Sequence, residues 1–143
     1  MAVYEYPMLK GLGGRMLKLE EGFASAELPL SEKVMQPMGV FHAGAIVTLA
    51  DEVASAAIHG EPIDTGDLKG KLFPYSVQLS VNLLTNDPVG PLRAEARVIK
   101  RGRLTVVDTE VLTAEGKTAA IMRSTHMMVN PNRTGPHNKI KTD

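Results

Sequence analysis

Cysteine is absent from this 143-residue chain, which excludes disulfides, thiolate metal sites and a thiol nucleophile, and suits a cytoplasmic location. An excess of one charge is absent too: 16 basic residues face 16 acidic ones, so nothing favours nucleic acid or an acidic membrane surface as partner. The opening Met1 to Pro7 has neither a basic leader nor an apolar stretch, and export is not expected. The nearest approach to a membrane helix, Gly39 to Ile58, carries Asp51 and Glu52 in its central part, and it reads instead as a helix buried in a soluble protein. Aromatic residues make up only 4%. No stacking pocket is clearly aimed at an aryl ligand, which leaves Phe41, Phe73 and Tyr75 as the candidates for one. No Gly-x-Ser-x-Gly turn exists, and His42, His59, His126 and His137 have no nucleophile near them in sequence, so a Ser-His-Asp triad is unsupported. His and carboxylate pairs at ligand spacing are missing as well, and no metal site is expected.

What remains is an ordinary globular composition, 43% apolar and 22% charged, in a length that suits one core. Met16–Leu19 and Phe23–Leu28 read as two short strands joined at Glu21-Gly22. Beyond the prolines at 29 and 37, Ile46, Leu49, Ala50, Val53, Ala54 and Ala57 recur at intervals of three and four, the apolar stripe of a helix starting near His42, and Gly60 and Pro62 supply its stop. After a loop rich in Gly, Asp and Lys, alternation takes over. It places Phe73, Tyr75, Val77, Leu79, Val81 and Leu83 on one face of a strand and Ser76, Gln78, Ser80 and Asn82 on the other. Strands over Leu92–Lys100, Leu104–Thr113 and Thr118–Val129 follow, with connections short enough for antiparallel hairpins. The expected fold is therefore α+β: residues 1–129 form one domain, a curved antiparallel sheet wrapped around one long central helix, and 130–143 form a polar, flexible tail.

The chemistry concentrates on that helix. A carboxylate on a mostly apolar helix is costly unless it has a partner. At about 100° per residue, Gly44, Asp51 and Ser55 share a side, so a carboxylate, a hydroxyl and a glycine can line one groove. His42 is about half a turn out of phase with Asp51 and roughly 13 Å away along the axis, too far for a dyad within one chain. The opening turn at His42, Ala43 and Gly44 presents unpaired N–H groups able to hold the oxygen of a polarised carbonyl. The plainer alternatives are that Asp51 and Glu52 simply face solvent, that Ala43 and Gly44 are small for packing, and that His42 caps the helix or fills the core.

The run Gln36-Pro-Met-Gly39-Val-Phe-His42-Ala43-Gly44-Ala-Ile-Val-Thr-Leu49-Ala-Asp51 resembles the signature of hotdog-fold acyl-CoA thioesterases of the phenylacetate-pathway type, where a polar amide, Gly, His-Gly-Gly, Leu and Asp recur at these intervals. Beyond these sixteen residues the likeness, from about Gly14 to Val129, is one of pattern only. It implies hydrolysis of an acyl-CoA without metal or organic cofactor, CoA being part of the substrate. Asp51 would be the nucleophile or the general base. The N–H of Ala43 would be the oxyanion donor, Gln36 the side-chain amide near the thioester, and His42 a supporting residue. Ser55 and Ser76 match polar positions that place water or the carboxylate.

The site would lie between two subunits, Gln36 and Ala43 from one and Asp51 from the other, in a homodimer that in relatives often pairs again into a tetramer. Lys100, Arg101 and Arg103 around Gly102 are candidates for the CoA phosphates, clustered basic groups at a turn suiting phosphate oxygens, although a solvated hairpin explains each of them nearly as well. Two positions depart from this branch: Gln36 stands where Asn is usual, although 4-hydroxybenzoyl-CoA thioesterases use Gln there, and Ala43 stands where Gly is usual, which keeps the donor but narrows the backbone. The rival readings are a hydratase or dehydratase of the same fold and a non-catalytic acyl-CoA binding or sensing module; retention of Asp51 argues against the second.

Overall fold

The structure, a computed structural model, describes residues 6–61 and 72–130. In chain order they form α1 (Pro7–Gly11), β1 (Arg15–Glu20), β2 (Phe23–Leu28), α2 (Ala43–His59), β3 (Phe73–Leu83), β4 (Leu92–Lys100), β5 (Leu104–Leu112) and β6 (Thr118–Val129). The six strands make one antiparallel sheet in the order β1-β2-β4-β5-β6-β3, so the chain leaves β2 through α2 and returns at the opposite edge. This is the expected α+β architecture, a sheet curved around one long helix. Pro62, the Gly-, Asp- and Lys-rich loop and the tail beyond Asn130 lie outside the described residues. Among the described residues no helix is long and apolar enough to cross a membrane.

The helix lies close on the sheet because small side chains meet there. Leu49, Ala50, Val53, Ala54 and Ala57 of α2 are buried, as are Ala24 and Ala26 of β2 and Ala94 and Ala96 of β4. Phe41, Leu28, Leu92, Val107 and Val111 fill the wider spaces around them. The sequence reading gave no sign of α1. Its Leu9 is buried, and a side chain at Gly14 would meet Leu9 Cδ1 at 2.4 Å, so the turn after α1 requires glycine.

Both ends of α2 are fastened. At its C-terminus Gly60 has φ +68°, the left-handed cap that glycine adopts freely, and a Cβ there would sit 2.6 Å from Glu21 Cα. Gly22 N–H donates to Ala57 O at 3.0 Å and Arg101 Nη1 to Ile58 O at 3.1 Å, which satisfies two of the last carbonyls. Ahead of the N-terminus, Asn86 clamps buried Phe41: Phe41 N–H donates to Asn86 Oδ1 at 3.1 Å and Asn86 Nδ2 donates to Phe41 O at 2.9 Å. Asp87 anchors the clamp in turn, accepting from the N–H groups of Gly90, Ala114 and Val89 at 2.7, 2.7 and 2.9 Å. Those backbone donors, Gly90 foremost, hold its carboxyl below the ordinary range.

One correction concerns β3. Its alternation is broken by a bulge at Val77: Ser76 pairs with His126 but Gln78 pairs with Thr125, the next residue of β6. Two residues of β3 thus span one step of β6, and the facing switches. Leu79, Val81 and Leu83 share the helix side of the sheet with their partners Ser124, Met122 and Ala120, and so does Ser76, opposite buried His126. Ser76 was expected on the opposite face from those leucines and valine. The bulge turns it toward α2.

Candidate active site

The helix side of that bulge brings three elements together. Asp51 of α2 is half-buried, and the hydroxyl of Ser76 on β3 donates to its Oδ1 at 2.6 Å. Ser76 Oγ also lies 3.3 Å from Nδ1 of His126 on β6, and His126 Nε2 lies 2.8 Å from Ser124 Oγ. Among the described residues Oδ2 of Asp51 has no hydrogen-bond donor, so one carboxylate oxygen is held and the other is available. His126 is fully buried, which lowers its affinity for a proton, while the charge of Asp51 and the carbonyl of Pro74 act the other way.

The neighbouring carboxyl behaves differently. Burial pushes Glu52 up to about 7, with the adjacent charge of Asp51 adding to the effect. Adjacent carboxylates therefore occupy unlike settings: Asp51 has a hydroxyl donor, and Glu52 faces a poorly hydrated one. The reading of both as simply solvent-facing does not hold. Ser55, one turn beyond Asp51, is buried as its spacing implies, but no hydrogen bond joins it to Asp51 among the described residues.

At the start of α2, His42 is the helix cap, its Nδ1 accepting from Gly44 N–H at 2.8 Å. That bond consumes the Gly44 donor and leaves the exposed Ala43 N–H without a protein acceptor among the described residues. Gln36 closes the turn just upstream: its Oε1 accepts from Met38 N–H, and its backbone N–H donates to Val40 O at 2.9 Å. Ala43 and Asp51 are eight residues apart, about 12 Å along the axis. One chain therefore offers two half-sites, an N–H donor at the helix start and a carboxylate at its middle, that cannot act on the same atom.

The β4–β5 hairpin is only partly available for an anion. Arg101 is engaged with the end of α2 and approaches Glu21 at 4.0 Å, while Lys100 and Arg103 are exposed without a carboxylate partner among the described residues. Gly102 O accepts from Thr105 Oγ1 at 3.1 Å, which fixes the turn. Of the aromatic candidates, Phe41 is withdrawn: it is 1% exposed and its ring lies against Gly90 in the core. Phe73 and Tyr75 pack edge to face at 5.6 Å. No group of metal-ligating side chains occurs among the described residues. A groove of ≈ 540 Å³ on the outer face of the sheet, lined by Ser80, Asn82, Arg97 and Arg123 among others, contains none of the expected site residues.

His126 is the residue that sequence reasoning missed. Its serines are distant or next to nearest along the chain, and only the register of β3 against β6 brings Ser76 to it.

A helix wrapped by an antiparallel sheet thus carries a hydroxyl-held carboxylate at its middle and an exposed N–H at its start. The chain belongs to the thioesterase superfamily, whose family model matches residues 38–120. It is similar to a Pseudomonas aeruginosa protein named as an esterase, 30% identical over 119 residues covering 82% of this chain and 79% of that one. The solved structure of a variant of that protein, there called a thioesterase, superposes with a TM-score of 0.74 at 27% identity, covering 87% and 86% of the two chains. It is also similar to 1,4-dihydroxy-2-naphthoyl-CoA hydrolase of Listeria monocytogenes, 32% identical over 98 residues, 67% of this chain and 73% of the relative. The PaaI protein from the phenylacetic acid degradation operon of E. coli shares the fold, with a TM-score of 0.74 at 22% identity over 86% and 84% of the two chains.

Proposed function

We propose that this thioesterase hydrolyses acyl-CoA, with Asp51 of one subunit and the Ala43 N–H of a second acting on the same thioester. The observation that carries the reading is the Ser76 to Asp51 hydrogen bond, which holds one carboxylate oxygen at 2.6 Å and leaves the other for water or for the acyl carbon. As general base, Asp51 takes a proton from water while the water oxygen bonds to the thioester carbon; the C–S bond then breaks, the proton held by Asp51 passes to the sulfur, and CoA leaves as the thiol. As nucleophile, Asp51 bonds to the carbon itself, CoA leaves, and water cleaves the resulting anhydride. In either route negative charge gathers on the carbonyl oxygen, where the Ala43 N–H and the positive end of α2 stabilise it. Gln36 and His42 stand beside that donor and shape its surroundings.

The split of the half-sites supports a homodimer, because about 12 Å of helix separates the donor from the carboxylate within a chain. So does β3, an outer strand of the sheet that presents exposed Val77, Leu79 and Leu83 along its length. Pairing of two dimers into a tetramer is part of the same proposal. CoA as the leaving group is supported by the name of the Listeria relative and by Lys100 and Arg103, two cations at one turn that suit its phosphates.

The test is a panel of short-chain, long-chain and aryl-CoA thioesters with a thiol-reactive dye, run on wild type and Asp51→Asn. Steady CoA release that Asp51→Asn reduces by about a thousandfold or more, with substrate affinity retained, is the expected result. Full activity in Asp51→Asn overturns the role of that carboxylate. Saturable binding without turnover by wild type overturns hydrolysis of acyl-CoA.

A further inference from the structure

His126 is a buried titratable side chain to which the hydrolytic steps above assign no task. It is fully buried, yet both ring nitrogens have oxygen partners: Ser76 Oγ at 3.3 Å from Nδ1 and Ser124 Oγ at 2.8 Å from Nε2. Proton bookkeeping along the chain of hydrogen bonds gives it a direction. A carboxylate only accepts, so the one hydroxyl proton of Ser76 goes to Asp51 Oδ1 at 2.6 Å. Ser76 Oγ then faces Nδ1 with a lone pair, and Nδ1 must carry the ring proton. In a neutral ring Nε2 is therefore bare and accepts from the Ser124 hydroxyl.

We propose that His126 is a positioning residue that acts on Asp51 through Ser76: its Nδ1–H tautomer, donating to Ser76 Oγ, keeps the Ser76 hydroxyl turned toward the carboxylate. The inference rests on the acyl-CoA reading for its catalytic consequence but not for its hydrogen-bond order.

The opposite tautomer shows what is at stake. With the proton on Nε2, a bare Nδ1 competes for the Ser76 proton, and Asp51 Oδ1 loses its donor. The carboxylate is then free to rotate, and neither oxygen is held at the angle a reaction needs. Ser124 suits either tautomer, its hydroxyl donating to a bare Nε2 or accepting from Nε2–H, so the order is set at the Asp51 end, where the carboxylate only accepts. Three other groups face the ring. The carbonyl of Pro74 on β3 favours a protonated ring, Asp51 on α2 attracts positive charge, and Thr105, the partner of His126 on β5, spends its hydroxyl on Gly102 O. Burial keeps the ring neutral against the pull of Asp51 and the Pro74 carbonyl. The bulge at Val77 is what makes the relay possible, because it sets Ser76 opposite His126 on the helix side.

The experiment combines two readouts. In protein labelled with 15N-histidine, the His126 ring nitrogens at pH 7 are expected to show a neutral ring protonated at Nδ1. A neutral ring protonated at Nε2, or a cationic ring, overturns the proposal whether or not any thioester is cleaved. In kinetics on an acyl-CoA that wild type hydrolyses, His126→Phe, which keeps a planar ring and removes both nitrogens, is expected to lower kcat about ten- to a hundredfold with KM changed less than about threefold. His126→Asn, which retains an N–H near the Nδ1 position, is expected to recover most of that loss. In a Ser76→Ala background His126→Phe is expected to cost nothing further, because the relay is already cut. Equal losses in both backgrounds, or wild-type kcat in His126→Phe, overturn the role through Ser76. Should wild type cleave no acyl-CoA, the substrate reading fails, and the tautomer still decides the hydrogen-bond order on its own.

Discussion

Replacing Glu52 by Gln should stabilise the protein at alkaline pH and do nothing at acid pH. Burial first, and the charge of Asp51 second, lift Glu52 from its ordinary 4.5 to about 7. The folded state therefore binds this proton more tightly than the unfolded chain. Below about pH 4 both states are protonated, and the carboxyl costs the fold nothing. Between 4.5 and about 7 the unfolded chain ionises first, so stability falls as pH rises, and above about 7 the full cost remains. A rise of this size corresponds to about 3 kcal/mol, reduced to ~2 kcal/mol by solvent reaching a group that is only partly buried. Glu52→Gln keeps the shape and removes the ionisation. Urea unfolding of both proteins at pH 4.5, 7 and 8.5 is the assay, with the difference in unfolding free energy as the readout; the titration of Asp87 is common to both proteins and cancels. The gain should be near zero at pH 4.5 and grow to about 2 kcal/mol at pH 8.5. A difference that stays flat over that range refutes the reasoning, and so does a variant that loses stability as pH rises.

Asp87 should behave in the opposite sense. Its carboxyl is held below the ordinary value by the N–H groups of Gly90, Ala114 and Val89, so its contribution is present above about pH 4 and is lost as pH falls through the lowered folded value. Asp87→Ala, which leaves those donors without an acceptor, should cost on the order of 3 kcal/mol at pH 7 and progressively less in acid, read by the same unfolding series. At the β4–β5 hairpin the basic residues should separate by role. Lys100→Ala with Arg103→Ala should raise KM for an acyl-CoA and flatten its salt dependence at unchanged thermal midpoint. Arg101→Ala, which frees the Ile58 carbonyl, should lower the midpoint by a few degrees.

The helix was legible because its signals are local: the apolar stripe from Ile46 to Ala57 and the glycine at position 60 both lie within a few turns of each other. The order of strands was legible for the same reason, short connections forcing antiparallel neighbours. The bulge at Val77 was not legible. Phe73 to Leu83 alternates perfectly as a string, and the extra residue shows only in register against β6, about fifty positions away. Ser76 was singled out through a family likeness while its predicted face was the wrong one. His126 was set aside because nothing reactive adjoins it in sequence, although its partners are supplied by strand pairing. Glu52 follows the same rule: its environment depends on what packs over α2, and its spacing from Asp51 says nothing of that.

These long-range features concern one pair of adjacent side chains. Asp51 and Glu52 differ by one methylene and about 100° of helix rotation, yet Asp51 receives a hydroxyl proton and Glu52 a poorly hydrated setting. The charge of Asp51 adds to the cost of ionising Glu52, second to burial. Ser76 offers its proton to Asp51, and the bulge together with His126 turns Ser76 that way. Cutting the relay should therefore leave Asp51 Oδ1 without its donor and the carboxylate proposed to meet the thioester free to rotate. Removing Glu52 should leave the Ser76 to Asp51 hydrogen bond in place, which makes Glu52→Gln a stability variant and Ser76→Ala a catalytic one although the two act on neighbouring carboxylates.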